Sequence, residues 1–251
     1  MIEIRDPLDP RLADYRDLRA RRTPSARSAP EHVVIEGRLA LERCLLGPLR
    51  LRSVLMTPAR ARSLASLRGR LPPDVPSYVA GRDVLEQLTG FDVHRGVLAS
   101  ASRPAALGAS DLWGAHGRIV VLEGLTDLEN VGAAFRVAAG LGFGGVLLDH
   151  RCADPLLRRC VRVSLGWATV LPHARSSDLQ ADLAAMAHAG FRNVALTPAA
   201  DAVPVDRALA EGMLEDPLAL LVGSEGTGLT EETLGAAGHQ PRCRWHPEPT
   251  R

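Results

Sequence analysis

From residue 31 onward, apolar and polar positions come in short alternating blocks. HVVIEG (32–37) reads as a strand and turn, RLALERCLL (38–46) as a helix and LRSVLMTP (51–58) as a strand. ARSLASLRGRL (61–71) reads as a helix, SYVA (77–80) as a strand, RDVLEQL (82–88) as a helix and RGVLASA (95–101) as a closing strand. Short strands alternating with helices predict a small α/β domain over 31–102. The Ser-, Pro-, Ala- and Gly-rich stretch that follows predicts a linker over 103–114. Ahead of the domain, residues 1–30 are polar and Arg-rich, with Arg19, Arg21 and Arg22 close together and Pro24 and Pro30 after them. That composition predicts a short helix and a flexible arm, either simply solvated or touching RNA phosphates.

A second alternating block fills 115–251. Apolar strands are expected at Arg118–Leu122, Gly145–Asp149, Thr169–Leu171, Asn193–Leu196 and Leu218–Val222, with helices between them, including Asp178–Ala189. Strands this uniformly apolar suit a parallel sheet covered on both faces. The helix expected from Asn130 to Leu141 places Val131, Ala134, Phe135, Ala138 and Leu141 at helical spacing, which predicts one buried face. Asn130 stands where a helix start takes a side-chain oxygen. Gly132, Arg136 and Gly140 lie four apart, one above another. An interior glycine costs about 1 kcal/mol against alanine. A strip bare but for one guanidinium therefore suggests that something packs against the backbone there; close helix packing beside an ordinary surface arginine is the alternative.

At 251 residues and 46% hydrophobic content, the chain can bury a sizeable core. Its net charge of +1 hides an asymmetry. Residues 1–105 carry 18 arginines against 12 acids, a balance of +6, and residues 106–251 carry 12 against 17, a balance of −5. There is no lysine. A basic front half is what a phosphate-backbone partner requires. Cys44, Cys152, Cys160 and Cys243 form no C-x-x-C pair and no matched His spacing, which argues against a structural zinc site and a disulfide framework, so no metal is expected. The N-terminus lacks an apolar leader, and no apolar run reaches membrane-span length. The expectation is a soluble protein of a reducing, cytoplasmic compartment.

Two glycine clusters carry candidate chemistry. GLGFGG at 140–145 follows a helix and precedes a strand, the reverse of a dinucleotide fingerprint, and reads as a helix stop and turn. GSEGTG at 223–228 follows the apolar strand LALLV and precedes a helix beginning near Thr230. Ligands of open α/β sheets sit at the carboxyl ends of strands. Glu225 inside the loop, with no following Lys, excludes a Walker loop and would repel a phosphate. It suits a cationic ligand or one rich in N–H donors, and S-adenosylmethionine, with its sulfonium, ammonium and adenine amine, is such a ligand. A tight turn with an exposed Glu is the alternative. Between the clusters, Arg158, Arg159 and Arg162 form a basic run beside Ser164 and Gly166, either a solvated helix face or, with Arg136, a polyanion site.

Taken together these segments resemble the SpoU (TrmH) branch of the SPOUT superfamily, S-adenosylmethionine-dependent RNA 2′-O-ribose methyltransferases. Asn130, Gly132 and Arg136 match N-x-G-x-x-x-R. Arg162, Ser164, Gly166 and Pro172 match the R-x-S-x-G stretch, and Gly223 to Leu229 match G-S-E-G-x-G-L. The front half resembles the family's ribosomal-protein-like substrate-binding domain, at Glu36-Gly37 and Arg95-Gly96-Val97-Leu98. The resemblance implies a knotted, mostly parallel α/β domain over 115–251, a homodimer with its active site at the subunit interface, and an rRNA or tRNA substrate. It gives Arg136 the target phosphate and the activation of the ribose hydroxyl. Asn130 and Ser164 would orient groups around it, with Ser164 supplied by the same or the partner subunit. Leu221, Val222, Gly223, Ser224, Glu225 and Gly226 would line the methyl-donor pocket, and Arg136, Arg158, Arg159 and Arg162 would meet RNA.

The match departs at its end. The family continues through I-P-M to S-L-N-V and a last helix, whereas this sequence reads AAGHQPRCRWHPEPTR. The departure carries the expectation of impaired donor affinity, knot closure and dimerisation. The alternatives are a catalytically inactive RNA-binding protein derived from such an enzyme and, on the glycines alone, a nucleotide-binding α/β enzyme of another kind.

Overall fold

The computed structural model describes residues 1–18, 31–93, 96–236 and 242–244. The expected arginine cluster at Arg19, Arg21 and Arg22, the prolines Pro24 and Pro30, the motif residue Arg95 and the segment from Trp245 onward lie outside them. The chain divides into two compact units: one comprises Met1–Ala105 with Asp154–Val170, the other Ala106–Ala153 with Leu171–Arg251.

The first unit is built on a five-stranded mixed sheet. Its strands are β1 (Ile2–Ile4), β2 (His32–Glu36), β3 (Leu51–Met56), β4 (Ser77–Ala80) and β5 (Val97–Ser102), in the order β1-β4-β3-β5-β2. Helices α1 (Arg38–Cys44), α2 (Pro58–Ser63), α3 (Ala65–Arg68) and α4 (Arg82–Thr89) connect them. Period-two alternation sorts the strand residues onto two faces. Val33, Ile35, Val54, Met56, Val97, Ala99 and Ala101 join one buried cluster, while Val34, Leu55, Tyr78, Ala80 and Leu98 join the other. The expected arm is corrected over its first half. Ile2–Ile4 pairs parallel with β4, and a 3-10 turn at Pro10–Tyr15 buries Leu12 and Tyr15 in the second cluster. The apolar side chains among the early charges carry this, and the polar average concealed them. The single helix expected at 61–71 is instead two short ones, hinged at Leu64, whose ψ of 27° leaves the helical region.

The second unit holds a seven-stranded, wholly parallel sheet. Its strands are β6 (Arg118–Glu123), β7 (Gly145–Leu148), β8 (His173–Arg175), β9 (Arg192–Leu196), β10 (Val203–Pro204), β11 (Leu218–Gly223) and β12 (Arg242–Arg244). They run β10-β12-β9-β11-β6-β7-β8. Helices α5 (Ala109–Ala115), α6 (Leu128–Gly140), α8 (Leu179–His188), α9 (Val205–Ala210) and α10 (Glu231–Ala236) accompany them; α7 (Arg158–Val163) folds with the first unit. Ile119, Val121, Leu147, Ala219 and Leu221 form one buried face with Leu112, Leu183 and Met186.

Three expectations are revised here. The predicted linker contains α5, because Leu112 finds the core of the parallel sheet. Thr169–Leu171 is no strand: Trp167–Thr169 is a 3-10 turn, and the strand comes later, at His173–Arg175. On α6, Val131, Phe135 and Ala138 are buried as expected, but Leu141 is 61% exposed, since the helix has ended at Gly140. Gly142, at φ +76°, makes the turn that the glycine cluster predicted. Among the described residues no helix is long and apolar enough to cross a membrane.

Candidate active site

The site assembles where β6 and β11 end. The two strands are neighbours in register, so Gly223, the last residue of β11, lies opposite Glu123, the last of β6. The loop beyond Gly223 is tight and internally bonded. Gly228 N–H donates to the Ser224 carbonyl at 3.0 Å, Thr227 N–H donates to Ser224 Oγ at 3.3 Å, and the Ser224 and Thr227 hydroxyls are 2.9 Å apart. A Cβ on Gly223 would lie 2.2 Å from the backbone of Gly228, so only glycine lets the loop close. Gly226, by contrast, faces open space, and Glu225 is exposed at the tip. Leu221 has its side chain in the core and offers a ligand only its backbone, while Val222 is half-buried.

Helix α6 brings the second component. Its N-cap is Asp127 rather than Asn130: the Asp127 carboxylate accepts from Glu129 N–H at 2.5 Å. Asp127 and Glu129 also put negative charge where the helix dipole is positive. Asn130 is thereby released from capping, and its carboxamide donates to the Glu225 carboxylate. The first and third motifs, 95 residues apart in sequence, meet through that bond. Arg136 follows about 9 Å further along the helix axis and roughly 120° around it. It is exposed and has no hydrogen-bond or ion-pair partner among the described residues.

The basic run and the second motif's Ser164 and Gly166 belong to the other unit, and its Pro172 to this one. Arg158 is 21% exposed and pairs with the buried Glu36 carboxylate, its guanidinium 4.3 Å over the Phe91 ring. Arg162 is more exposed and stands 3.9 Å from the same carboxylate, and Arg159 is exposed. Arg158 thereby neutralises a buried acid within its own unit. Ser164 is fully buried; its hydroxyl donates to the Val161 carbonyl at 3.0 Å and accepts from Ala168 N–H at 3.2 Å. Those bonds tie its own turn, where Gly166 at φ +90° presses against the Ala40 backbone.

The model of the SpoU rRNA methylase family matches residues 117–244. An uncharacterized tRNA/rRNA methyltransferase of Mycobacterium tuberculosis is 39% identical over 234 residues, spanning 92% of this chain and 80% of that protein. The chain belongs to the SpoU rRNA methylase family. Solved structures share the fold. An rRNA methyltransferase from Sinorhizobium meliloti superposes with a TM-score of 0.75 at 21% identity, covering 98% of this chain and 90% of that one. AviRb, the SpoU methyltransferase of Streptomyces viridochromogenes, superposes with its cofactor AdoMet at a TM-score of 0.73 and 19% identity, covering 96% and 90%.

In this SpoU family member, sequence reasoning missed the residues behind the loop. Glu123, 3% exposed, accepts from Thr230 N–H at 3.0 Å, from Thr230 Oγ1 at 2.9 Å and from Arg151 Nη2 at 3.1 Å. Arg151 also donates through Nε to buried Asp149 at 2.8 Å. Burial by itself would raise the Asp149 pKa, but hydrogen bonds from Arg151, Cys152 and the Gly124 backbone hold it below the ordinary 3.8. The one signal was a carboxylate closing an otherwise apolar strand. All four cysteines are buried thiols. Burial pushes Cys152 up to about 12, helped by Asp149, and Cys44 up to about 11. Among the described residues no group of three or more His, Cys, Asp or Glu is placed to hold a metal ion.

Proposed function

We propose that this chain is an S-adenosyl-L-methionine-dependent RNA 2′-O-ribose methyltransferase acting on rRNA or tRNA. The observation that carries the reading is the Asn130–Glu225 bond, which ties the helix of Arg136 to a glycine loop at the carboxyl ends of two central parallel strands. The loop fits the donor chemically. Glu225 offers a negative charge to a cationic ligand, the Gly226 side is open, and the missing Cβ at Gly223 lets the loop close on the Gly228–Leu229 backbone.

The donor supplies a methyl group on a positively charged sulfur. The chain's part is to bring the ribose oxygen to it in line and to remove the hydroxyl proton. Asn130 holds Glu225 so that its charge faces the donor side. Arg136, exposed and without a partner among the described residues, binds the phosphate next to the target ribose and favours the anionic form of the 2′-oxygen. Positioning of this kind can supply about 7–11 kcal/mol of barrier reduction. The proton leaves to a nearby base or phosphate, since a neutral hydroxyl is a poor nucleophile. The same helix exposes Val137, and Leu141 just beyond its end is exposed as well, an apolar patch that a second copy of the chain would cover, which supports the homodimer. The family's knotted form and a ribosomal-protein-like first unit belong to the same proposal.

The test is transfer of labelled methyl from S-adenosyl-L-methionine to bulk rRNA and tRNA, with digestion to nucleosides. Label in 2′-O-methylnucleosides is expected. No transfer and no heat of donor binding, alongside salt-sensitive RNA binding, would favour the catalytically inactive RNA-binding alternative, in keeping with the divergent segment around Arg242–Arg244.

A further inference from the structure

Both ends of the loop that carries Glu225 refer to one residue. At the entry, Gly223 is the register partner of Glu123. At the exit, Thr230 directs both its backbone N–H and its hydroxyl onto the two oxygens of the Glu123 carboxylate, at 3.0 and 2.9 Å. Between them the loop is stiffened by its own Ser224, Thr227 and Gly228 bonds, so it moves as a piece. Its direction is set by its two feet, and both stand on Glu123.

The carboxylate is itself held. A buried charge needs a partner, and Arg151 provides one at 3.1 Å while Asp149 fixes Arg151 from the other side. Thr230 passes the constraint on. Its hydroxyl lies 3.1 Å from that of fully buried Thr233, which accepts from Gln180 Nε2 at 2.9 Å. A bonded chain thus runs from the turn after β7, through the end of β6, to α10 and α8.

We infer that Glu123 is a positioning residue for the methyl-donor loop: it clamps Thr230 so that Glu225 is presented to Asn130 and to the donor. The inference rests on the methyltransferase reading above. A glutamine at 123 keeps the size but offers one acceptor oxygen in place of two and turns an N–H₂ toward donors, so Thr230 and Arg151 cannot both be satisfied. A valine at 230 removes the hydroxyl at constant shape, and a serine keeps it.

The experiment titrates S-adenosyl-L-methionine calorimetrically into the full chain, wild type against E123Q, T230V and T230S, with melting curves and RNA affinity measured on each. Loss of a charge-assisted hydrogen bond predicts about tenfold or greater weakening of donor binding in E123Q and T230V. T230S is expected to bind as the wild type does, and RNA affinity should be equal in all four. If E123Q fails to fold, the T230V and T230S pair decides. Donor affinity unchanged in T230V, or lowered equally in T230S, overturns the inference and leaves the methyltransferase reading standing. A wild type that binds no donor overturns that reading, and this inference with it.

Discussion

The Asn130 carboxamide donates a hydrogen bond to the Glu225 carboxylate, joining a helix that leaves β6 to a loop that leaves β11. The bond does two things: it aims the carboxylate and it satisfies the amide. E225Q removes the charge at nearly constant shape and is expected to weaken S-adenosyl-L-methionine binding about tenfold or more. N130A should weaken it less, because the charge survives unaimed. A double-mutant cycle read by calorimetry checks the coupling; strictly additive effects would show that the two residues act apart.

Gly223 tests the loop itself. Its missing Cβ is the space into which the Gly228–Leu229 backbone folds, at 2.2–2.5 Å from where the atom would be. G223A forces the loop open, so donor binding should be lost. The first unit, which does not contain the loop, should keep its melting transition. Retained donor affinity in G223A would contradict the closed loop.

Arg136 is assigned the target phosphate rather than the donor. R136A should therefore lower kcat by roughly 10²–10³-fold, as removal of one oriented charge-stabilising group does in other active sites. Its donor affinity should stay within twofold of wild type (~0.4 kcal/mol). R136K should recover little, since an ammonium cannot reproduce the planar fork. Single-turnover methylation with saturating RNA separates these outcomes.

Asp149 supplies a pH test with a defined sign. Its folded pKa lies below the ordinary 3.8, so the ionised form is favoured by folding. The associated stability is fully present above 3.8 and fades as pH falls through the lower folded value. D149N should be less stable than wild type at neutral pH, by about 1–3 kcal/mol for a buried charge-assisted bond. The gap should narrow only below pH 3.8. Denaturant melts at several pH values measure it, and a gap already closing at pH 5 would refute the assignment.

Much of this was legible in the chain. Uniformly apolar strands announced the parallel sheet, and the strand and helix signals put Asn130 near a helix start and Glu225 in a loop beyond a strand. What stayed hidden depended on contacts distant in sequence. Asp127 displaced Asn130 as the cap because either residue suits a helix start and only the tertiary fold, which occupies Asn130 with Glu225, decides between them. The bonds of Ser164 within its own turn and of Arg158 to Glu36 were equally hidden, because each partner is set by the fold and not by spacing. Glu123 and Arg151 gave no periodic signal, since a partnered carboxylate is recognised only by what surrounds it. Ile2, Ile4, Leu12 and Tyr15 were masked by averaging over charged neighbours, although a few apolar side chains suffice to add an edge strand.

The path of α7 bears on how this molecule can be taken apart. Residues 154–170 fold with the first unit although they are strung between two strands of the second, and Leu156 and Val161 belong to the first unit's core. Neither half is thus a contiguous piece of polypeptide. Scissors placed at Ala105 would strip one fragment of part of its interior and hand the other an oily insert with nowhere to go. A soluble separate version of either half calls for a graft, with 154–170 rejoined to the front fragment and a short bridge closing Ala153 to Leu171.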